Sequence, residues 1–314
     1  MARIVVTGGA GFIGSSLVEA LLARGERVTV LDDFSTGRTE NLDGLSGDLD
    51  VQRGDVSRGD DVARALRDAT AVLHHAAIAS VVRSIDEPLR ADEVNVHGTV
   101  CVLEQARRAG VRKVVLAASA AAYGDGEELP QHEGLMPRPL SPYAVAKLAS
   151  EHYVRVYARL HGLHAVALRY FNVFGPKQDP NGEYAAVVPK FVTAMLRGES
   201  PRVFGDGLQT RDFCFVDDVV EANMCALEHP EASGRVINVA SGRETSVLDL
   251  ARIIGRILGT EVAVDHRPAR GGEVRRSVAD ATLAKNLLGW QARTTVEQGL
   301  ARIVERYRSV TRLP

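Results

Sequence analysis

The sequence predicts an α/β protein with a doubly wound parallel sheet and a smaller mixed α/β lobe towards its C-terminal end. Two observations support this prediction. Short β-branched runs alternate with stretches of helical spacing as far as residue 172, a pattern typical of parallel strands joined by right-handed helical crossovers. Beyond residue 172 the alternation gives way to turn-rich segments and then helices, which favours a second, mixed lobe.

The predicted elements follow in chain order. The strand Arg3–Thr7 leads into a glycine turn and then a helix over 12–24, which stops at Gly25. Later strands are predicted at 28–31, Ala71–His74, 114–118 and 165–170, and helices at 92–109, 142–160, 246–258 and 296–308. We expect residues 1–172, with a return segment around 212–240, to form one domain and residues 173–314 to form the other.

Composition excludes several classes of protein. The 314 residues are 45% hydrophobic and 25% charged, and 38 basic against 40 acidic side chains give a net charge of −2. Disordered, collagen-like and coiled-coil chains are therefore excluded, and nothing suggests a nucleic-acid-binding surface. Cys101, Cys214 and Cys225 lack metal-ligand spacing, so we expect free thiols and no metal. With no apolar stretch long enough for a signal or a membrane span, the predicted location is cytoplasmic.

A glycine-rich turn follows the first strand and opens the first helix. Gly9, Gly11 and Gly14 fit GxGxxG, and Gly8, Gly11 and Gly14 fit GxxGxxG, with Phe12 and Ile13 between the last two glycines. Such a turn lets the backbone approach a pyrophosphate at a helix N-terminus, as in Rossmann-type folds. A purely structural glycine turn is the alternative, because the motif alone is weak.

An acidic residue at the end of the second strand decides between these readings. Asp32 stands 18 positions after Gly14, where a carboxylate accepts hydrogen bonds from the adenosine ribose and disfavours a 2′-phosphate. NAD is therefore favoured over NADP. Asp33 fits a solvated turn residue beside the cofactor. Asp55, in Gly54-Asp55-Val56, follows another strand and either reaches adenine or is a loop carboxylate.

A tyrosine and a lysine share one face of the helix predicted over 142–160. Tyr143 and Lys147 are at i and i+4. A tyrosine is a poor base at neutral pH because its pKa is about 10, but the lysine ammonium can stabilise its phenolate form. YxxxK also arises by chance in helices. The context favours function, because Ser119 follows a predicted strand at the carboxyl edge of the sheet, where α/β proteins bind ligands.

Together these residues resemble the extended short-chain dehydrogenase/reductase family, and most closely its UDP-hexose 4-epimerases, over essentially the whole chain. The resemblance implies a catalytic group of Tyr143, Lys147 and Ser119. It also implies cofactor-binding residues, which we predict to be Gly8, Gly11, Phe12, Ile13, Gly14, Asp32, Asp33, Asp55, Val56, His75, Ala76, Ala77, Asn95, Tyr143, Lys147 and Tyr170.

The same resemblance implies a UDP-sugar site built by the second lobe. Arg211 and Arg270 are similar to the family's pyrophosphate clamps, a task that suits the planar guanidinium, and Glu273 to the acid that holds the uridine ribose. By residue type alone both arginines would be surface groups. The substrate-binding candidates are Ser119, Tyr143, Asn172, Val187, Val203, Phe204, Arg211, Arg270, Glu273 and Ser277.

The residues after Ser119 select among the family's reactions. Sugar-nucleotide dehydratases of this family carry an acidic pair there and the decarboxylases a glutamate, whereas this chain has Ala120 and Ala121. Epimerisation at C4 through a transient 4-keto sugar therefore fits best. Ser277, small where some relatives have tyrosine, implies room for an N-acetyl group, so UDP-GlcNAc and UDP-GalNAc join UDP-glucose and UDP-galactose as expected substrates.

Two alternatives stay open at this point. One is a UDP-glucuronate 4-epimerase, because the contact that decides carboxylate tolerance is not identified. The other is a non-catalytic NAD-binding regulator on the same sheet. The resemblance also implies a homodimer formed through the helices predicted at 92–109 and 142–160.

Overall fold

The computed structural model describes residues 2–180, 186–269 and 274–311. Its centre is a seven-stranded sheet in which every neighbouring pair is parallel. The strand order is β10-β6-β5-β4-β1-β2-β3. The bounds are β1 Arg3–Thr7, β2 Arg27–Asp32, β3 Leu49–Arg53, β4 Ala71–His74, β5 Lys113–Ser119, β6 His164–Tyr170 and β10 Val236–Val239.

Helices cover both faces of this sheet, as a buried parallel sheet requires. Residues of β1 alternate between two apolar clusters, with Ile4 and Val6 on one side and Val5 on the other. The first cluster includes residues of α1 Phe12–Ala23, α8 Val216–Glu228 and α10 Thr282–Leu288, and the second includes residues of α2 Gly59–Ala65, α5 Gly98–Arg108 and α6 Pro142–His161. The predicted doubly wound fold class is confirmed.

The later part of the chain builds two small sheets with their own helices and core. The strands β11 Glu244–Ser246, β9 Thr210–Phe215 and β7 Asn172–Phe174 form one sheet, and β12 Asp265–Arg267 pairs with β8 Arg202–Phe204. A third apolar cluster, which includes Phe191, Phe215 and Ile303, joins these strands to the helices. Those helices are α7 Val187–Leu196, α9 Val247–Leu258 and α11 Val296–Thr311.

The helix predicted over 92–109 is wrong in its start and its regularity. Two short helices, α3 Val81–Asp86 and α4 Pro88–Asp92, precede it, and a π-helical turn over Glu93–His97 joins α4 to α5. Pro88 occupies the first position of α4, where a proline costs no hydrogen bond. The wide turn directs Asn95 inwards, and such a turn has no spacing signature in the sequence.

Helix α6, which carries the predicted tyrosine and lysine, has well-formed ends. The Ser141 side chain accepts a hydrogen bond from the Ala144 amide, and Pro142 is the first helical residue. Gly162 ends the helix in a left-handed conformation. Among the helices formed by the described residues, none has the length and apolar character needed to cross a bilayer.

Candidate active site

A cavity of about 1020 Å³ lies at the carboxyl edge of the seven-stranded sheet. Its wall includes the ends of β1, β2, β4, β5 and β6, together with the start of α1 and the first turns of α6. Parallel strands end on the same edge, so side chains far apart in sequence meet there. Of the predicted cofactor residues, all but Asn95 line this cavity.

The glycine turn brings backbone against backbone at the floor of the cavity. A Cβ at Gly14 would lie 2.1 Å from the Gly8 carbonyl oxygen, and a Cβ at Gly8 would lie 2.7 Å from the Ala76 nitrogen. Gly8 also has a positive φ of 68°, which favours glycine. The start of α1 therefore packs closely against the turn after β1 and borders the cavity, as phosphate binding at a helix N-terminus requires.

Asp32 ends β2 with its carboxylate held towards the cavity. One oxygen accepts from the Ala10 amide at 2.9 Å and the other from the Phe34 amide at 2.9 Å. Burial raises the pKa of Asp32, and these two amides oppose that rise. Each oxygen keeps a further lone pair, so the carboxylate can accept ribose hydroxyls. Together with the bare glycine turn, this geometry fits a dinucleotide without a 2′-phosphate.

The two other acidic candidates accept hydrogen bonds from the protein's own side chains and backbone. Asp33 accepts hydrogen bonds from the Ser35 amide and hydroxyl, which matches the turn role considered for it. Asp55 accepts from Ser57 and from Arg90 at 2.7 Å. Partial burial would raise the pKa of Asp55, but the Arg90 and Ser57 donors lower it below its usual range. Both carboxylates nevertheless border the cavity.

Tyr143, Lys147 and Ser119 meet on one wall of the cavity. The Lys147 ammonium is buried, donates to the Ala117 carbonyl at 2.7 Å and lies 5.9 Å from the centroid of the Tyr143 ring. Ser119 lines the same wall as the Tyr143 phenol and accepts a hydrogen bond from the Ala121 amide at 3.2 Å. This arrangement leaves the Ser119 proton available for relay between a ligand and the phenol.

Burial opposes charge on both partners of the tyrosine–lysine pair. It raises the pKa of the Tyr143 phenol, against which the Ser119 hydrogen bond acts. It also lowers the pKa of Lys147 to about 8, opposed by Glu151 one helical turn further on. A phenolate near neutral pH therefore needs the Lys147 charge and a second cation in the cavity.

Tyr170 and His75 form a polar wall near this group. The Tyr170 hydroxyl hydrogen-bonds the Asn223 side chain and, at 2.9 Å, His75 Nε2. Asn95, also predicted to bind the cofactor, lies outside the cavity lining. Its side chain is buried and bonds both the amide and the carbonyl of Ile78, so its hydrogen-bonding groups are used on the protein's own backbone.

The predicted substrate residues are not all brought together by this cavity. Ser119 and Tyr143 line it, whereas Asn172, Val187, Phe204, Arg211 and Ser277 lie outside its lining. These positions belong to the small sheets, to α7 and to the segment near residue 277.

The three remaining substrate candidates are a buried valine and two residues near position 270. Val203 is fully buried in the third apolar cluster, so its side chain is a core residue and the prediction that it contacts substrate is wrong for that side chain. Arg270 and Glu273 lie outside the described residues.

One part of the cavity wall was not predicted from the sequence. Pro176, Lys177, Gln178, Asp179 and Pro180 line the cavity. Lys177 donates to the Glu19 carboxylate at 2.8 Å, and Asp179 forms an ion pair with Arg38. These pairs join the segment to α1 and to the loop after β2. The sequence shows only a turn-rich segment here, which carries no sign of either pairing.

Comparisons with known proteins agree with this geometry. A family model described as the NAD dependent epimerase/dehydratase family matches residues 4–240. A UDP-glucose 4-epimerase of Mycolicibacterium smegmatis is 42% identical over 98% of this chain and 99% of its own.

Two solved structures are similar over nearly their full length. A UDP-N-acetylglucosamine 4-epimerase from Methanobrevibacter ruminantium in complex with UDP-N-acetylmuramic acid has a TM-score of 0.94 and 37% identity, covering 98% of this chain and 99% of its own. A Thermus thermophilus UDP-glucose 4-epimerase in complex with NAD has a TM-score of 0.88 and 38% identity, with the same coverage. The resemblance inferred from the motifs is confirmed.

The Gly14→Ala substitution tests the glycine turn. The added methyl group would force Gly8 and the start of α1 apart and remove amide contacts to a pyrophosphate. Losing one such charge-assisted contact costs about 1.5–3 kcal/mol, so NAD affinity should fall roughly 10- to 100-fold. The measurement is calorimetric titration with NAD. Gly126→Ala is the control, because its nearest neighbour lies 3.9 Å away; equal affinities for the two variants would contradict the assignment.

Proposed function

The chain belongs to the NAD dependent epimerase/dehydratase family, and from this premise we propose that it is an NAD-dependent UDP-hexose 4-epimerase. It interconverts UDP-glucose and UDP-galactose, and also UDP-GlcNAc and UDP-GalNAc, through a transient 4-keto sugar. The observation that carries this proposal is the meeting of Tyr143, Ser119 and Lys147 in a cavity that fits a dinucleotide.

The residues of the chain supply the proton chemistry. Tyr143 removes the proton of the sugar 4-hydroxyl, directly or through Ser119, whose hydroxyl lines the same cavity. Lys147 stabilises the phenolate with its buried ammonium. NAD, when bound, accepts the hydride from C4 and returns it. The 4-keto sugar turns about its bond to the pyrophosphate before the return, which inverts C4.

The segment after Ser119 supports epimerisation rather than elimination or decarboxylation. Ala120 and Ala121 begin the short 3-10 turn Ala120–Tyr123 directly beside the reacting group. Neither side chain can act as an acid or a base, which leaves proton transfer beside this turn to Ser119 and Tyr143. Oxidation followed by reduction is then the reaction that the residues can complete.

We propose that the two parts of the chain bind different ligands. Residues 1–172, with the return segment at 212–240, hold NAD, and residues 173–314 hold the UDP-sugar. The membership of β10 in the large sheet supports the return segment. Asn172, Arg211, Arg270 and Glu273 bind the UDP moiety, and Ser277 faces the sugar. The cellular setting we propose is cytoplasmic nucleotide-sugar metabolism, including galactose metabolism.

We also propose a homodimer that forms through α6 and the helices beside it. Along α6, Val145, Tyr153, Val156 and Leu160 are 40–69% exposed, and α3, α4 and α5 pack against the same helix. Ile85 and Leu89 extend this apolar surface. A contiguous exposed apolar surface indicates an interface, and a second copy of the chain presents the same self-complementary helices.

The function is tested by incubating the purified protein with UDP-galactose, UDP-GalNAc and UDP-galacturonate, without added NAD, and separating the products. We expect conversion of the first two and a fall in kcat of about 10²–10⁴-fold for Tyr143→Phe, as for loss of a proton-transfer group. Tyr153→Phe, on the same helix but exposed, is the control and should keep full activity. Conversion of UDP-galacturonate alone would indicate a uronate epimerase, and inertness towards all three a regulator.

Ser277→Tyr tests the predicted room for an N-acetyl group. The larger side chain should lower kcat/KM for UDP-GalNAc at least about tenfold more than for UDP-galactose, since a clash excludes the bulkier sugar selectively. Ser277→Ala is the control and should keep the ratio of the two activities. An unchanged ratio in Ser277→Tyr would show that this position does not limit the size of the sugar.

Val156→Lys tests the dimer. Val156 is 45% exposed on α6, and a charge there would be buried unpaired in the proposed interface. Sedimentation should give about twice the 33.8 kDa chain mass for the unmodified protein and one chain mass for this variant. Val51→Lys is the matched control, because Val51 is 44% exposed on the edge strand β3. Dimers of Val156→Lys at low concentration would exclude this face.

A further inference from the structure

A buried ion pair lies one helical turn from the reacting lysine. Glu151 on α6 accepts two hydrogen bonds from Arg169 on β6, at 2.8 and 2.7 Å, and the two side chains are 2% and 3% exposed. A buried ion pair is weak evidence for stability, because apolar residues of similar size often serve as well. Its presence here therefore calls for a reason other than stability.

The pair joins α6, which carries Tyr143 and Lys147, to β6, the strand beside the one that ends at Ser119. Glu151 follows Lys147 by four residues and Tyr143 by eight, so all three lie on neighbouring turns of one helix face. Arg169 is in register with Ala118 of β5, immediately before Ser119. Its guanidinium also lies 4.5 Å from the centroid of the Tyr123 ring, in the turn that follows Ser119.

The electrostatic surroundings of Lys147 give Glu151 a second role. Burial and the Lys147 charge lower the pKa of His74 and of His75 to about 3, so both rings are neutral at working pH. Burial lowers the pKa of Lys147 to about 8, and the Glu151 carboxylate opposes this. Further titratable or charged groups of the described residues in this region include Tyr143 of α6, Arg83 of α3, and Arg169 and Tyr170 of β6. Tyr123 and Glu133 also interact electrostatically with Arg169.

We propose that Glu151 and Arg169 are positioning residues for the reaction: their ion pair holds the helix of Tyr143 and Lys147 against the strands beside Ser119, and its carboxylate keeps the Lys147 ammonium charged. This inference rests on the proposed function, since it assigns the pair a task in that proton transfer. Without the pair, Lys147 loses its proton at a lower pH and the phenolate loses its neighbouring cation.

The sharpest test replaces both members at once with apolar residues of similar size, Glu151→Leu together with Arg169→Met. Such replacement commonly preserves folding, so circular dichroism and NAD content should stay near those of the unmodified protein. The alkaline limb of the kcat–pH profile should move down by about one pH unit, because a neighbouring opposite charge shifts a pKa by about this much. At pH 7.5, kcat should fall roughly threefold, because a pKa that moves from about 8 to about 7 lowers the protonated fraction of Lys147 by about that factor, while KM changes little.

Two further variants separate positioning from general damage. Glu151→Asp retains the charge and should restore most of the original pH profile. Glu228→Gln, which breaks the exposed pair with Arg24, should leave the profile unchanged. If the double variant does not fold, Glu151→Gln is measured instead, and it should shift the alkaline limb in the same direction, since Arg169 is left unpaired beside the site.

A second readout does not depend on turnover. The ultraviolet phenolate absorbance of the NAD-bound protein, minus that of its Tyr143→Phe counterpart, reports the ionisation of Tyr143. In the double variant that ionisation should move to higher pH. Superimposable titrations and pH profiles in a folded double variant would overturn the inference. Absence of epimerase activity in the unmodified protein, with the phenolate shift still present, would count against the proposed function alone.

Discussion

The buried ammonium of Lys147 is the group on which the geometry of the site depends. A charged lysine removed from water is stable only where its hydrogen bonds are met, and here the Ala117 carbonyl at the end of β5 accepts one of them. This bond ties α6 to the strand that ends at Ser119. It also places Tyr143, one turn earlier on the same face, in the cavity that Ser119 lines.

The doubly wound sheet makes this arrangement possible. Because its seven strands are parallel, the glycine turn after β1, Asp32 at the end of β2 and Ser119 at the end of β5 all reach one edge. The glycine turn contacts the backbone at Ala76 so closely that a methyl group would not fit at Gly8. The floor of the cavity is therefore formed by backbone, and the reactive side chains line its walls. A long ligand with phosphates at its centre matches that distribution.

Local signals predicted most of the fold, and all but one of the proposed cofactor residues line the cavity. Non-local contacts produced the differences. The helix 142–160 was predictable because Ser141, Pro142 and Gly162 mark its ends. Asn95, predicted at the cofactor, lies outside the cavity lining and bonds Ile78 from a π-helical turn, and spacing does not reveal such a turn. The pairs Lys177–Glu19 and Arg38–Asp179 join residues 158 and 141 positions apart. Nothing in either segment alone indicates its partner.

The short turn after Ser119 shows how a shared active-site arrangement can be restricted to one reaction. The Ala121 amide donates to the Ser119 hydroxyl, so the backbone orients this group whatever side chains stand at 120 and 121. Both positions are partly exposed beside the cavity, and acidic residues there would add a second acid and base without disturbing the tyrosine–lysine pair. With alanine at both, neither of these positions can remove a proton next to a ketone at C4 or protonate a leaving group. Reduction is then the step that remains, and inversion at C4 follows from which face the sugar presents.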